Sequence, residues 1–431
     1  MSKVVRCHWV SDVSSGLSRR DRLSCDYEAY IPDPLVGREV VLEGRVAADV
    51  SEAEAALVRF GLEVGALADS ETLARLLLRT ESVASSRIEG LEIGARRLLR
   101  ADAERKLGEP TGDVSASEVL ANIDAMAYAV EGVGRGDRVT VDLLVEIHRR
   151  LLRGTRHEVH GGRLRNEQNW IGGSSFNPCS AEYVPPPPEV VASLVADLCA
   201  FCNEDSLPAV VQAAIAHAQF ETIHPFADGN GRVGRALIHL LLRRRGVVTH
   251  VVPPVSLILA TWSREYIAAL TATRHEGSAN SDAAHQGLNR WIALFAVATR
   301  RAVADADAFE ERVRMLERGW RERLGRVRAH SALDLLVRRL PGAPILTVQS
   351  AAELVGRSEQ ATNQAIARLV EAGVLAQATV GRRNRVFEAP EVIHAFTALE
   401  RQLASPVGDT RTSPPARRVP RTPHPQSHPE I

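Results

Sequence analysis

With 431 residues, 45% of them apolar and 25% charged, the chain has the composition of an ordinary soluble globular protein with room for two or three domains. Its 53 basic residues balance 53 acidic ones, so no net field draws in nucleic acid or an anionic membrane. No run approaches the roughly 18 apolar residues of a membrane span, and the N-terminus lacks a signal peptide's apolar stretch. A cytoplasmic protein with no membrane partner is the expectation.

Five cysteines, Cys7, Cys25, Cys179, Cys199 and Cys202, are too few and too scattered for a disulfide framework. Cys199 and Cys202 spell CxxC, but they share a helical pattern with Leu194, Val195, Leu198 and Phe201. They read as small buried hydrophobes.

Residues 1–50 read as an irregular arm, extended over 27–35 where Pro32 and Pro34 fix the backbone. A helical pattern starts at Ser51, an N-cap ahead of Glu52 and Glu54. It continues through Leu73, Leu76, Leu77 and Val83 until Gly90 ends it, giving a helical region over 51–110. After a polar gap with Gly108, Pro110 and Gly112, helices are expected over 116–130 and 141–152, the second apolar at Leu143, Leu144, Ile147 and Leu151. Residues 161–173 and 182–188 have a different texture. They read as two short extended pieces around a loop, a hairpin.

The most informative stretch is 214–235. An apolar helical run through Ile215, Ala218 and Ile223 breaks at His224–Pro225. The loop after it carries Phe226, Asp228, Gly229, Asn230 and Gly231, and a new helix then opens with Arg232 and Arg235 three residues apart. Unpaired N–H groups and the dipole at a helix start favour anions. Two arginines add fork-shaped charge, Asp228 can hold a hard cation and His224 can move a proton. Together these residues read as a nucleotide-triphosphate site. Gly229 to Gly234 also spells GxGxxG, but the pattern identifies a dinucleotide fold only after a strand, and here an alanine-rich helical run precedes it.

Beyond the site, a helix containing Trp262 and Tyr266 follows Pro253–Pro254, and Asn289 and Trp291 begin the last core helix, completing a core over 115–300. Residues 301–340 form a charged helical connector. In 341–400, two short helices flank Gly356–Ser358, and a basic hairpin with Arg382, Arg383 and Arg385 comes after them. This resembles a winged helix-turn-helix. Five arginines against six glutamates leave that unit at a net charge of minus one, so DNA binding and protein or dimer contacts stay open alternatives. From 405 to 431 proline, arginine, serine and threonine dominate, the composition of a disordered tail.

His224-Pro-Phe226-Ala-Asp228-Gly229-Asn230-Gly231-Arg232-Val233-Gly234-Arg235 matches every defined position of HxFx(D/E)GNGRxxR, the signature of the Fic family, which the chain therefore resembles. The resemblance implies a mainly α fold: a Fic helical core with a small β-hairpin flap, here followed by the α+β winged helix-turn-helix. It implies a protein adenylyltransferase that moves AMP from ATP to a Ser, Thr or Tyr hydroxyl of a protein substrate, or of itself, with Mg²⁺. His224 is the implied base and Asp228 the implied metal ligand. Gly229, Asn230 (through its side chain), Gly231, Arg232, Val233, Gly234 and Arg235 are the implied phosphate-binding set.

The same resemblance makes the 161–188 hairpin the flap that receives the target, at Ile171, Gly172, Tyr183 and Val184. Residues 85–90 are similar to the family's inhibitory motif (S/T)xxxE(G/N), with Ser85 and Glu89 one turn apart. Glu89 is then expected to pair with Arg235 and turn it from the γ-phosphate. Relatives often carry paired tyrosines on the adenine side, where this chain has Tyr266–Ile267. A homodimer is expected. A DNA-binding regulator, removal of AMP, or use of another nucleotide donor are the alternative functions.

Overall fold

The computed structural model describes residues 1–11, 18–65, 70–106, 108, 112–248, 251–380 and 384–402. In chain order its helices are α1 (Gly44–Gly65), α2 (Ser70–Ile88), α3 (Ala95–Lys106), α4 (Val114–Glu131), α5 (Val141–Leu152), α6 (Pro188–Cys202), α7 (Ala209–Ile223) and α8 (Asn230–Arg244), then α9 (Val255–Thr261), α10 (Ser263–Ala272), α11 (Asp282–Leu324), α12 (Ala332–Arg339), α13 (Val348–Val355), α14 (Glu359–Glu371) and α15 (Pro390–Gln402). Five strands, β1 (Lys3–Trp9), β2 (Cys25–Ile31), β3 (Ile345–Leu346), β4 (Ala376–Val380) and β5 (Asn384–Glu388), make two small antiparallel sheets. The protein is mainly α, as expected. Among the described residues no helix is long and apolar enough to cross a membrane.

The chain divides into two compact units. The first comprises Met1–Leu62, Ala121–His250 and Arg264–Arg300 and is built on α7, which is buried on nearly every side. Its sequence is mostly small and apolar, and the buried Gln212, His217 and Gln219 are each hydrogen-bonded, as a helix enclosed in a core requires. Trp291 of α11 closes over it, the indole N–H donating to Ala214 O at 2.7 Å. Helix α1 starts at Gly44, seven residues before the expected Ser51 cap. The Asn289 side chain accepts the Glu43 N–H at 2.9 Å, a tertiary cap that local sequence does not announce.

The arm is also more regular than expected. Residues 3–9 pair with 25–31 in an antiparallel ladder running from Lys3↔Ile31 to Trp9↔Cys25. The strand's alternation of half-buried and exposed residues was obscured by the proline-rich segment after it. A second correction concerns cysteine: Cys25 and Cys179 form a disulfide with Cα atoms 5.8 Å apart. A pair separated by 154 positions leaves no spacing signal. Cys199 and Cys202 are free and buried on α6, as read, and burial pushes the Cys199 thiol up to about 12.

The second unit comprises Glu63–Leu120, Val251–Ser263 and the chain from Arg301 onward. Helices α12, α13 and α14 and the sheet β3-β5-β4 share a core of Trp320, Leu336, Leu346, Ile366, Leu369 and Phe387. The Thr347–Ser350 capping box starts α13, and Ser358 caps α14. Of the expected wing, Arg385 lies on β5, whereas Arg382 and Arg383 fall outside the described residues, as do Pro110 and the tail over 405–431. Arg96 and Arg100 of α3 both pair with the buried Glu388 of β5, at 2.6 and 2.7 Å. Helix α3 and β5 therefore belong to one body, although 51–110 and 341–400 read as separate domains in the sequence.

Candidate active site

The site lies in the first unit, where α7 ends and α8 begins. The His224 N–H still closes the last turn of α7 on Phe220 O at 2.9 Å, but its backbone turns left-handed, at φ 51° and ψ 58°. For a side chain other than glycine that conformation costs roughly 1–2 kcal/mol, so the surroundings must hold it. They do so with hydrogen bonds to the loop's carbonyls. Arg165 Nε donates to His224 O at 2.9 Å, and Asn169 Nδ2 donates to His224 O and Phe226 O at 3.3 and 3.0 Å.

Phe226 anchors the loop and is 0% exposed. Its backbone N–H and C=O are both taken by the Asn230 side chain, at 2.8 Å each. The Asn230 amide is thus a loop fastener, and it is not turned toward an anion as expected from the motif. On the α5 side, His148 stacks on the Phe226 ring. The Gly162 N–H donates to His148 Nδ1 at 3.2 Å, which leaves the ring proton on Nε2 to donate to Asp228 O at 3.1 Å. Burial lowers the His148 pKa to about 4, so the ring is neutral near pH 7. Sequence reasoning missed this residue, although a histidine on the apolar stripe of α5, beside Ile147 and Leu151, was a visible signal.

Gly229 caps α8 at φ 77°, and a Cβ there would lie 2.7 Å from Leu151 Cδ2. Conformation and space both demand glycine. The Val233 N–H is spent on Gly229 O at 3.0 Å, which leaves those of Asn230, Gly231 and Arg232 as the first-turn donors without an intrahelical acceptor. Val233 is buried, and Gly234 is a packing residue, since a Cβ on it would meet Glu221 Oε1 at 2.4 Å and Phe220 at 3.0 Å.

Arg232 is 5% exposed. One amino group reaches Asp228 Oδ2 at 3.3 Å, while its buried Nε and Nη1 have no hydrogen-bond partner among the described residues. Unsatisfied guanidinium N–H groups beside a bare helix start are what an anionic ligand would satisfy. The Asp228 side chain is 40% exposed and accessible to a cation. Arg235 is buried further along α8.

The expected flap is held by an Ile171↔Tyr183 bridge, with the Ile171 N–H donating to Tyr183 O at 2.8 Å. Ile171 and Gly172 are exposed, while Tyr183 and Val184 are anchors. The Tyr183 hydroxyl donates to Thr222 O at 2.7 Å on α7, and Val184 O accepts the Tyr30 N–H at 3.0 Å. Of the residues expected on the adenine side, Tyr266 lies in the core. It is 4% exposed, and its hydroxyl is 2.8 Å from Nε2 of the buried His217, beside Trp291. A ring sealed in the core offers no face to a base. Ile267 is 62% exposed. Ser85 and Glu89 belong to the second unit. Ser85 is buried near the end of α2, and Glu89 sits in the turn after it, its N–H bonded to Ser86 O at 3.1 Å.

Two family models cover this region: the Fic/DOC family matches residues 138–242 and the Fic/DOC family N-terminal model residues 47–131. Protein adenylyltransferase fic-1 of Caenorhabditis elegans is 36% identical over 137 residues, 31% of this chain and 24% of that protein. Protein adenylyltransferase Fic of Nematostella vectensis is 31% identical over 163 residues, 37% of this chain and 35% of that one. The chain thus spans about a quarter to a third of the length of these curated relatives. In fold it is similar to the crystal structure of a Fic family protein from Desulfovibrio desulfuricans G20, with a TM-score of 0.50, 21% identity and coverage of 82% of this chain and 98% of that one. With two models matched in succession and the whole signature gathered on one loop, residues 47–131 and 138–242 match the Fic/DOC family.

Proposed function

We propose that the protein is an adenylyltransferase that moves AMP from ATP to a hydroxyl of a protein substrate. The observation that carries this reading is the buried Arg232 guanidinium, with two unsatisfied nitrogens, beside the glycine-capped start of α8 and the His224–Asp228 loop. A Ser, Thr or Tyr oxygen attacks the α-phosphorus, forming the new P–O bond. Its proton passes to His224, and the bond to the β-phosphate breaks with pyrophosphate leaving. The N–H groups at the start of α8 and Arg232 bind phosphate, and Arg235 is assigned the γ-phosphate.

Asp228 would hold Mg²⁺, which supplies charge neutralisation on the phosphates. One carboxylate plus substrate phosphates is a usual Mg²⁺ environment, and among the described residues no group of three metal-ligating side chains offers another. The exposed Ile171–Gly172 edge would receive the target segment by backbone pairing.

Glu89 is proposed as an inhibitor that pairs with Arg235 and misorients ATP, a reading supported by its motif. Shifting such a gate from 1:99 to 99:1 takes roughly 5.5 kcal/mol of differential binding. Self-modification, a homodimer and a cytoplasmic location belong to the same proposal. Incubating purified protein with labelled ATP, CTP, GTP and UTP tests the donor. Labelling from a nucleotide other than ATP would replace AMP transfer with a related chemistry, and release of AMP from a modified protein would point to the reverse reaction.

A second reading, a DNA-binding regulator, is favoured by the order α12-β3-α13-α14-β4-β5, that of a winged helix. Against it, the outward residues of α14 include Glu359, Gln360, Asn363, Gln364 and Glu371, and Arg368 is spent on Leu324 O. Absence of a salt-dependent shift of promoter DNA at low salt would remove this reading.

A further inference from the structure

Arg165 is 6% exposed, and among the described residues its side chain donates to backbone carbonyls alone. Nε reaches His224 O at 2.9 Å, Nη1 reaches Glu167 O at 3.0 Å, and Nη2 reaches Pro186 O at 2.5 Å and Ile223 O at 3.3 Å. Its own N–H donates to Pro225 O at 2.9 Å. One residue therefore grips three consecutive carbonyls, those of 223, 224 and 225, where the last turn of α7 ends.

The His224 N–H is held at the same time on Phe220 O. With the peptide groups on both sides of His224 fixed, its Cα–Cβ direction is fixed as well. A positive group at the C-terminal carbonyls also suits the helix dipole. Only a guanidinium has enough donors in a rigid fork to span these acceptors, since an ammonium donates from a single point. Burial lowers the Arg165 pKa to about 10, which still leaves it charged at neutral pH.

From this geometry we infer that Arg165 is a positioning residue, which holds His224 in its left-handed conformation and so aims the imidazole. The inference rests on the proposed role of His224 as base. A misplacement of about 1 Å can cost roughly 100-fold in rate.

The test compares wild type, Arg165→Ala and Arg165→Lys, each also in the Glu89→Gly background. AMP transfer is measured alongside the ring ¹H–¹³C NMR signal of His224, assigned with His224→Ala. Arg165→Ala is expected to lower kcat about 100-fold, change KM for ATP far less, and shift the His224 signal. Millimolar methylguanidinium should restore activity at least tenfold and return the signal, which a purely structural loss would not permit. Arg165→Lys keeps charge and bulk, so it provides the comparison if the alanine variant does not fold. It should melt close to wild type yet lose most of kcat. Folded variants with wild-type kcat and an unmoved His224 signal overturn the inference. If wild type and Glu89→Gly transfer no nucleotide at all while the signal still moves, the adenylyltransferase reading fails and the positioning role stands.

Discussion

The imidazole of His148 lies flat on the ring of Phe226, centroids 3.8 Å apart and planes at 16°, and it reaches past that ring to hold Asp228 O. Two residues of the signature loop are thus set by a side chain 78 and 80 positions earlier in the chain. This contact works only with a neutral ring, because Nδ1 must accept from Gly162.

That requirement makes stability depend on pH. Burial lowers the His148 pKa from 6.5 to about 4 and that of His217 to about 3. The unfolded chain therefore takes up these protons first as pH falls. The stabilisation is complete above about pH 6.5 and is lost progressively down to each folded-state value, on the order of 3 kcal/mol per residue. Urea unfolding at pH 7, 5.5 and 4.5 should show this decline. In His148→Gln, which keeps a donor near Asp228 O but does not titrate, the decline should be shallower.

Arg232 separates binding from stability. Its two unsatisfied nitrogens are a cost in the ligand-free protein. Arg232→Met should leave the melting temperature equal to or above wild type while weakening ATP binding by about two orders of magnitude, as read by calorimetry and thermal melts. A variant that is destabilised yet binds ATP normally would show the guanidinium to be structural.

Gly229→Ala should lose about 2–4 kcal/mol, from a left-handed backbone and a methyl pressed on Leu151. Chemical denaturation measures the loss. Nucleotide binding should fall with it, because the same glycine shapes the start of α8.

Reducing the Cys25–Cys179 bond, or replacing both cysteines by serine, should lower stability by up to about 4 kcal/mol. Peptide mapping without reductant should recover the two cysteines as one cross-linked species.

What was legible in the sequence was local. The bounds of α5, the break at His224 and the turn at Gly356 follow from periodicity, caps and glycines within a few residues. The full signature located the site. What was not legible depended on residues meeting from distant positions. Asn289 moves the start of α1, β1 needs β2 to be a strand, and Cys25 needs Cys179. A motif records which residue stands at a position but not what its side chain touches: the Asn230 amide fastens Phe226, and Val233 and Gly234 pack. The same holds for Tyr266, whose hydroxyl lies against His217 in the core.

The most direct measurement of the central claim is mass spectrometry of the Glu89→Gly protein after incubation with ATP, Mg²⁺ and a cell lysate. Adducts of AMP mass on Ser, Thr or Tyr residues are expected, more abundant than with wild type and absent with Glu89→Gly/His224→Ala. No adduct from any of these proteins, or equal adducts with the double variant, would contradict it.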